Sequence, residues 1–237
     1  MTDYIVPYAN DVLNLLNRMR GRIILDNSFV TLRIGILNGK LIEYSKDFIE
    51  FSLELMAGRG EYKPLMDNQQ EYMRGLCELA EEKKLFTVDG IVRKEMLDLK
   101  RKSDKCAGSF IEPDFIAYFR DFSGGVDELL RVLNKNVPYL TEDSLFRKIS
   151  HDINGLMLKG KKQPSKIDRR VVATALYESH AKGEEINILA NDPHIYNLLE
   201  KFWESKNRRR LDAEVRCFTF DKNRSYELVQ EYTTFRK

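Results

Sequence analysis

Short apolar runs alternate along this chain with longer stretches whose apolar residues recur at helical spacing. The short runs cover residues 22–26, 85–88, 136–140, 185–190 and 215–220. Runs of about four to eight apolar residues between polar segments are typical of strands that are buried on both faces of a parallel sheet. The pattern therefore predicts five strands, of which 136–140 is limited by Pro138 because proline cannot donate a ladder hydrogen bond.

Helical periodicity fills most of the sequence between these strands. The predicted helical segments are residues 4–20, 46–57, 67–83, the stretch after Asp89, 110–133 with a break near Gly124-Gly125, the stretch from Thr141, the stretch after Asp168, and 191–202. The polar residues 101–109 are predicted to form a loop. Residues 29–45 fit two structures, a hairpin that turns at Asn38-Gly39 and a helix that ends at Gly39.

Strands that alternate with helices favour a parallel sheet between helical layers, joined by right-handed crossovers. The chain is therefore predicted to be α/β, with three layers (α/β/α) and a central, mostly parallel five-stranded sheet. One domain is expected over residues 1–237. Its core covers about 20–220, with helical insertions at about 40–80 and 100–135.

Composition narrows the class of protein. Hydrophobic residues make up 43% of the chain, enough for a core, and the net charge is +2, so no global field points to a polyanionic partner. The three cysteines are far apart and form no C-x-x-C pattern, which favours a reducing compartment. No segment approaches the roughly 20 apolar residues that span a bilayer. We expect a cytoplasmic protein with no membrane association.

Four acidic residues fall where the predicted topology brings them to one edge of the sheet. Asp26 follows the first strand and Asp192 follows the fourth, so both lie at carboxyl ends, where open α/β sheets bind ligands. Glu95 is in the second turn of the helix after the second strand. Asp168 begins a helix that runs antiparallel to the strands, and therefore starts at the same edge.

Converging carboxylates repel one another, so such a cluster is tolerable when a cation neutralises it. Oxygen ligands without Cys or His select Mg²⁺ or Mn²⁺. A bound divalent ion activates water and stabilises charge on a phosphodiester, which points to phosphodiester hydrolysis.

Each acid also has a purely structural interpretation. Asp192 precedes Pro193 and Asp168 begins a helix, so both are good helix caps. Asp26 closes a turn in this interpretation, and Glu95 is a solvated helix residue. A cap and a metal ligand are compatible roles, because a carboxylate has several lone pairs.

In four segments, taken in order, the sequence resembles the PIN-domain family of nucleases: Ile23–Ser28, Val88–Glu95, Asp168–Leu176 and Ile186–Asp192. The resemblance covers most of residues 20–220. It implies a PIN-like fold in which Asp26, Glu95, Asp168 and Asp192 are the catalytic, metal-binding residues. Ser28 and Asn191 match supporting polar positions. The chain departs from the family at His194, where a second acid is common, and in its inserted helices.

The resemblance implies an endoribonuclease that uses Mg²⁺ or Mn²⁺, with RNA as substrate and DNA as an alternative. Two other functions stay open: a catalytically inactive PIN-fold protein that binds RNA or serves as a scaffold, and the toxin of a toxin–antitoxin pair. The inserted helices offer a surface for a second copy or a protein partner. The residues predicted to contact RNA are Lys159, Lys161, Lys162, Lys166 and Arg169. A solvated surface is the usual explanation of such basic runs.

Overall fold

A computed structural model describes most of the chain. The described residues are 9–26, 29–30, 34–37, 40–43, 62–88, 91–110, 113–138, 140, 143–158, 163–190, 192–205, 211–221 and 227–233. Within them the helices are α1 (Ala9–Arg18), α2 (Tyr62–Glu81), α3 (Ile91–Ala107), α4 (Pro113–Asn136), α5 (Ser144–Asn154), α6 (Lys166–Lys182) and α7 (Pro193–Glu204). The strands are β1 (Arg22–Leu25), β2 (Ile34–Leu37), β3 (Lys40–Glu43), β4 (Leu85–Phe86), β5 (Glu185–Leu189), β6 (Glu214–Asp221) and β7 (Glu227–Thr233).

The main sheet has the strand order β4-β1-β5-β6-β7. The first four strands are parallel, and β7 pairs antiparallel with β6 at the edge. The predicted α/β class is therefore confirmed, with a parallel part of four strands. β2 and β3 form a separate antiparallel pair, which confirms the hairpin interpretation of residues 29–45 over the helix.

The central strands are apolar because both of their faces are covered. Ile23, Ile24 and Leu25 of β1 are fully buried, as are Ile188 and Leu189 of β5. A strand between two helical layers has no solvent-facing side, so polar and apolar residues do not alternate along it.

The helices pack in two groups. α1 lies on α2, where Leu13 fills the space beside Gly75: a Cβ at Gly75 would come within 2.3 Å of Leu13 Cδ1. α6 packs against α5, α7, β5 and β6. Right-handed crossovers place α2, between β1 and β4, on the face opposite α7, between β5 and β6. The arrangement is compatible with three layers.

The predicted loop at residues 101–109 is wrong, because α3 continues to Ala107. Its polar residues cover the exposed face, where Lys100 Nζ and Asp104 Oδ2 lie 2.8 Å apart one turn of helix from each other. Ser103 is buried, and its hydroxyl donates to the carbonyl of Phe119 at 2.8 Å. The segment is an amphipathic helix whose buried stripe is narrow.

The predicted strand at residues 136–140 is also wrong. α4 continues to Asn136, whose side-chain amide donates to the carbonyls of Ala80 at 2.6 Å and Leu85 at 3.2 Å. Val137, Pro138 and Leu140 belong to no strand. The fifth strand of the sheet is instead β7, which lies beyond residue 220, where the predicted strand pattern ends.

α4 is unbroken at Gly124-Gly125, contrary to prediction. A Cβ at Gly125 would lie 2.6 Å from Met73 Cγ, so this glycine lets α2 and α4 approach closely. The predicted helix at residues 46–57 lies outside the described residues. No described helix is both long and apolar enough to cross a membrane.

Candidate functional site

The order of the strands reverses between β1 and β5. From β1 the chain passes to β4 on one side, and from β5 it passes to β6 on the other. The two connections diverge at the carboxyl ends of this central pair, which is the position where α/β sheets of this kind bind ligands. Leu25 and Leu189, the last residues of the two strands, are paired in register.

Asp26 follows β1 at this reversal point. Its backbone N–H donates to the carbonyl of Leu189 at 3.0 Å, and its own carbonyl accepts from the N–H of Phe29 at 2.9 Å. Only 8% of the residue is exposed. The backbone of Asp26 is thus fixed by β5 on one side and by the following turn on the other.

Asp168 lies in the first turn of α6 and is 8% exposed. The helix begins with a capping box: Ser165 Oγ accepts from the N–H of Asp168 at 3.2 Å, and Asp168 Oδ2 accepts from the N–H of Ser165 at 2.7 Å. Ser165 is therefore the N-cap, which corrects the interpretation of Asp168 as the cap residue itself. The box fixes the direction of the Asp168 carboxylate through one of its oxygens.

The start of α6 reaches the carboxyl edge of the sheet. The helix ends at Gly183, whose left-handed conformation (φ 67°) turns the chain directly into β5. At about 1.5 Å per residue α6 rises roughly 21 Å between Asp168 and Lys182. β5 covers only about 13 Å at roughly 3.3 Å per residue. Asp168 therefore lies level with the end of β5 or above it.

Asp192 caps α7, as its structural interpretation predicted. Its Oδ1 accepts from the N–H of His194 at 2.8 Å, and Pro193 occupies the first turn. The residue is half-buried. His194 also places a ring nitrogen, Nδ1, in the interior with no hydrogen-bond partner.

Glu95 differs from the other three acids. It lies in the second turn of α3, as predicted, but its side chain is exposed. Among the residues that the structure describes, no three His, Cys, Asp or Glu side chains are grouped so that they could hold a metal ion. The structure thus brings Asp26, Asp168 and Asp192 to one edge of the sheet.

The predicted RNA-contacting residues are only partly described. Lys166 is the exposed first residue of α6. Arg169 Nη1 donates to the carbonyls of Ile153 at 2.5 Å and Asn154 at 3.3 Å, the last residues of α5. Arg169 therefore caps a helix C-terminus, where cations are favoured by the helix dipole. Outside the described residues lie Lys159, Lys161, Lys162, Ser28 and Asn191.

α5 is fixed to α6 at both ends. Arg169 binds its C-terminus, and at its N-terminus Asp143 Oδ2 accepts from the hydroxyl of Tyr177 at 2.9 Å. The N–H groups of Phe146 and Leu145 and the Tyr177 hydroxyl lower the pKa of Asp143. Sequence patterns gave no signal for either contact, because both join residues of different elements.

A groove of about 400 Å³ lies between α2 and α4, away from the four acids. Buried Met73 and Phe122 are in its floor with half-buried Cys77, whose pKa is raised to about 12, first by burial and then by Glu128 and other nearby carboxylates. Arg74 lies on the α2 wall and Asp121 on the α4 wall. The raised pKa makes Cys77 an unreactive thiol at neutral pH.

No protein-family profile, no curated protein and no solved structure matches this chain. The resemblance to PIN-domain nucleases therefore rests on the four sequence segments.

Proposed function

We propose that the chain is a metal-dependent nuclease with a PIN-like fold that hydrolyses phosphodiester bonds in RNA. One observation carries the proposal: Asp26 and Asp192 follow the two strands between which the sheet order reverses, and Asp168 starts a helix at the same edge. Three carboxylates that are distant in the sequence thus share the crevice where ligands bind in such sheets.

The ligands in this proposal are Asp26, Asp168, Asp192 and Glu95, with Mg²⁺ or Mn²⁺ as the hard cation that carboxylate oxygens select. When bound, the ion would supply an activated water and stabilise negative charge on the phosphodiester. Asp168 and Asp192 each bind a backbone N–H through one named oxygen. Because a carboxylate has a second oxygen, these caps orient the side chains and leave lone pairs for an ion.

Glu95 is the most exposed of the four proposed ligands. Its exposed side chain on α3 contrasts with the burial of Asp26 and Asp168. In this proposal Glu95 would therefore contribute less to metal affinity than the two buried acids.

RNA is the proposed substrate because a basic segment leads directly into α6. Lys159, Lys161 and Lys162 precede the exposed Lys166 in the sequence, and Asp168 follows two residues later. Lysines next to the carboxylates would neutralise the phosphates that flank a scissile bond. Arg169 is left out of this surface, because its guanidinium binds the end of α5.

A second candidate function is a non-catalytic RNA-binding protein that keeps the fold. It is favoured by the lack of any metal-holding group among the described side chains and by the capping roles of Asp168 and Asp192. In this alternative the acids serve only the helices, and RNA binding needs no divalent ion.

Labelled single-stranded and structured RNAs, incubated with the full chain, with and without Mg²⁺ or Mn²⁺, distinguish the two functions. We expect cleavage that needs the ion and is lost in Asp26→Asn and Asp168→Asn. Asp143→Asn is the matched control. Asparagine also caps helices, so the variant should fold. Asp143 binds Tyr177, which lies about 13 Å along α6 from Asp168, so the change is remote from the proposed site. RNA binding without cleavage, unaffected by metal, would establish the non-catalytic alternative.

A further inference from the structure

Buried side chains from other elements hold the backbone on both sides of Asp26. On the β4 side, the last ladder pair joins Phe86 to Ile24 of β1. The next residue, Thr87, is almost fully buried, and its hydroxyl donates to the carbonyl of Leu25 at 3.2 Å. A side chain thus continues the contact where the β4 ladder stops, and it does so at the residue directly before Asp26.

α2 provides two further donors to residues that follow Asp26. The Tyr72 hydroxyl donates to the carbonyl of Phe29 at 2.9 Å, and Gln69 Nε2 donates to the carbonyl of Val30 at 3.3 Å. Residues three apart on a helix are neighbours on its surface, so the two donors reach successive carbonyls. Both side chains are buried. The backbone after Asp26 is therefore attached to α2.

These donors bind carbonyls that water does not reach. Leu25, Phe29 and Val30 are all fully buried. Buried carbonyls need partners within the protein. An apolar side chain at position 69 or 72 could pack in the core but could not bind a carbonyl. Gln69 and Tyr72 therefore connect the core directly to the turn that carries Asp26.

The other two acids at this edge are oriented in a different way. Asp168 and Asp192 each accept a backbone N–H through their own carboxylate, from Ser165 and His194 respectively. The hydrogen bonds described for Asp26 act on its backbone and on the backbone beside it. The position of the Asp26 carboxylate therefore depends on how firmly that backbone is held.

We propose that Thr87, Tyr72 and Gln69 are positioning residues for the metal site: they fix the backbone around Asp26 and thereby hold its carboxylate where it binds the ion. The inference rests on the proposed function, which makes Asp26 a ligand. In this assignment the three side chains touch neither the ion nor the RNA, and they act only through Asp26.

A ligand group that is held in place binds an ion more tightly than a mobile one, because less conformational freedom is lost on binding. Residues that orient metal ligands typically contribute about 10–100-fold to metal affinity. The contacts around Asp26 act on its backbone rather than on its carboxylate. We therefore expect effects at the lower end of that range.

The test is isothermal titration calorimetry of the full chain with Mn²⁺. Tyr72→Phe and Thr87→Val each remove one hydroxyl and keep nearly the same side-chain volume. We expect each variant to raise the Kd for Mn²⁺ about tenfold. Thr87→Ser retains the hydroxyl, so it should bind Mn²⁺ as tightly as the wild type does.

Ser179→Ala is the matched control. Ser179 of α6 is fully buried, and its hydroxyl donates to the carbonyl of Glu184 at 2.6 Å, directly before β5 begins. This bond lies at the amino edge of the sheet, opposite the proposed metal site. The variant should therefore lower Tm, because a buried hydrogen bond is lost, and should keep the wild-type Kd for Mn²⁺.

Amide hydrogen exchange of residues 25–30, measured in chelator, is a second readout that needs no metal. Tyr72→Phe and Thr87→Val should accelerate exchange in this segment beyond any change in Ser179→Ala. The reason is that these two variants release the backbone of the segment itself, whereas the control loses a bond elsewhere.

The outcomes separate the positioning role from the metal site. If the wild type binds Mn²⁺ and both hydroxyl-deletion variants bind it equally tightly, the positioning role is wrong and the metal site stands. Unchanged exchange of residues 25–30 in both variants would also overturn the positioning role. A wild type that does not bind Mn²⁺ would instead overturn the proposed function, and the positioning role with it.

Discussion

The backbone N–H of Asp26 donates to the carbonyl of Leu189, and this bond of 3.0 Å joins the end of β1 to the end of β5. The loop after β5 leads within three residues to Asp192, the cap of α7. Two acids of the proposed metal site are therefore tied to the same pair of strands. Their relative position is set by the sheet ladder, which is among the least deformable parts of an α/β protein.

Metal binding should stabilise the folded protein. A ligand present at about a hundredfold over its Kd contributes about 2.7 kcal/mol, which corresponds to roughly 5–10 °C in Tm for a domain of this size. We expect this shift with millimolar Mn²⁺, its near-complete loss in Asp26→Asn and Asp168→Asn, and a partial loss in Glu95→Gln. Differential scanning fluorimetry measures all of these, with Asp143→Asn as the control that keeps the full shift. If the Tm of the wild type does not change with the concentration of metal, the protein does not bind the ion and the proposed metal site is wrong.

The capping box of α6 predicts how the same site behaves without metal. In chelator, Ser165→Ala and Asp168→Ala should each lower the free energy of unfolding by about 1 kcal/mol, because each breaks the reciprocal pair. The double variant should lose less than the sum of the two single losses, since both remove parts of one box. Urea unfolding at neutral pH gives the three values. A gain in stability from Asp168→Ala would instead identify a repulsive carboxylate cluster.

Arg169 should have a structural role, whereas Lys161 and Lys162 should have a role in RNA binding. Arg169→Ala should lower Tm, because it exposes the last carbonyls of α5, and should leave the salt dependence of RNA affinity unchanged. Lys161/Lys162→Ala should keep Tm and reduce the magnitude of the slope of log affinity against log salt by about 1.4–1.8, because each lysine would neutralise one phosphate. Fluorescence anisotropy in Ca²⁺, chosen to support binding without cleavage, measures the slopes.

Arg208 and Arg209 form a second basic run in the sequence, outside the described residues. The variant Arg208/Arg209→Ala is therefore the comparison for charge alone. The two lysines and the two arginines carry the same charge, so equal slopes in the two double variants would mean that RNA has no preferred basic surface. If Arg169→Ala also lowers the slope of log affinity against log salt, Arg169 contacts RNA and belongs to the RNA-binding surface.

The adjacent glycines of α4 should respond oppositely to alanine. A Cβ at Gly124 would meet nothing within 4 Å, so Gly124→Ala should stabilise the helix by about 0.5–1 kcal/mol. A Cβ at Gly125 would lie 2.6 Å from Met73 Cγ, so Gly125→Ala should destabilise by about 1–3 kcal/mol as α2 is pushed away. Chemical denaturation of the two variants is a matched experiment. Destabilisation by Gly124→Ala would contradict the prediction, because it would mean that the space beside Gly124 is occupied.

Sequence patterns predicted the elements whose residues are buried on all sides. β1 and β5 were recognisable because their apolar runs face helices on both sides of the sheet. The placement of Asp26 and Asp192 followed from those strands and from the direction of a parallel sheet. The hairpin of β2 and β3 could not be separated from a helix by periodicity, because its alternating residues also fit the helical repeat.

The wrong predictions share a physical cause: contacts with residues far away in the sequence determine the local structure. The C-terminal part of α3 is helical because Ser103 reaches the carbonyl of Phe119 on α4. Asn136 extends α4 by binding the carbonyls of Ala80 and Leu85. The sequence does not distinguish Ser165 from Asp168 as the cap of α6, because both residue types are good helix caps. Glu95 was placed in the correct turn, but its exposure depends on how α3 packs.

The strand order also constrains when this protein can fold during synthesis. The bond from Asn187 to the carbonyl of Arg20 joins residues 167 positions apart. Among the described strands, β4 is therefore the one partner of β1 in the parallel sheet that a growing chain carries before β5 has been made. The ribosome synthesises α3, α4, α5 and α6 after β4 and before β5. Until β5 has been made, the apolar residues of β1 can pair on one side of the strand but not on the other. Chains that are cut short before residue 189 would present that strand with one open edge, the state in which chaperones and proteases most readily bind a nascent protein.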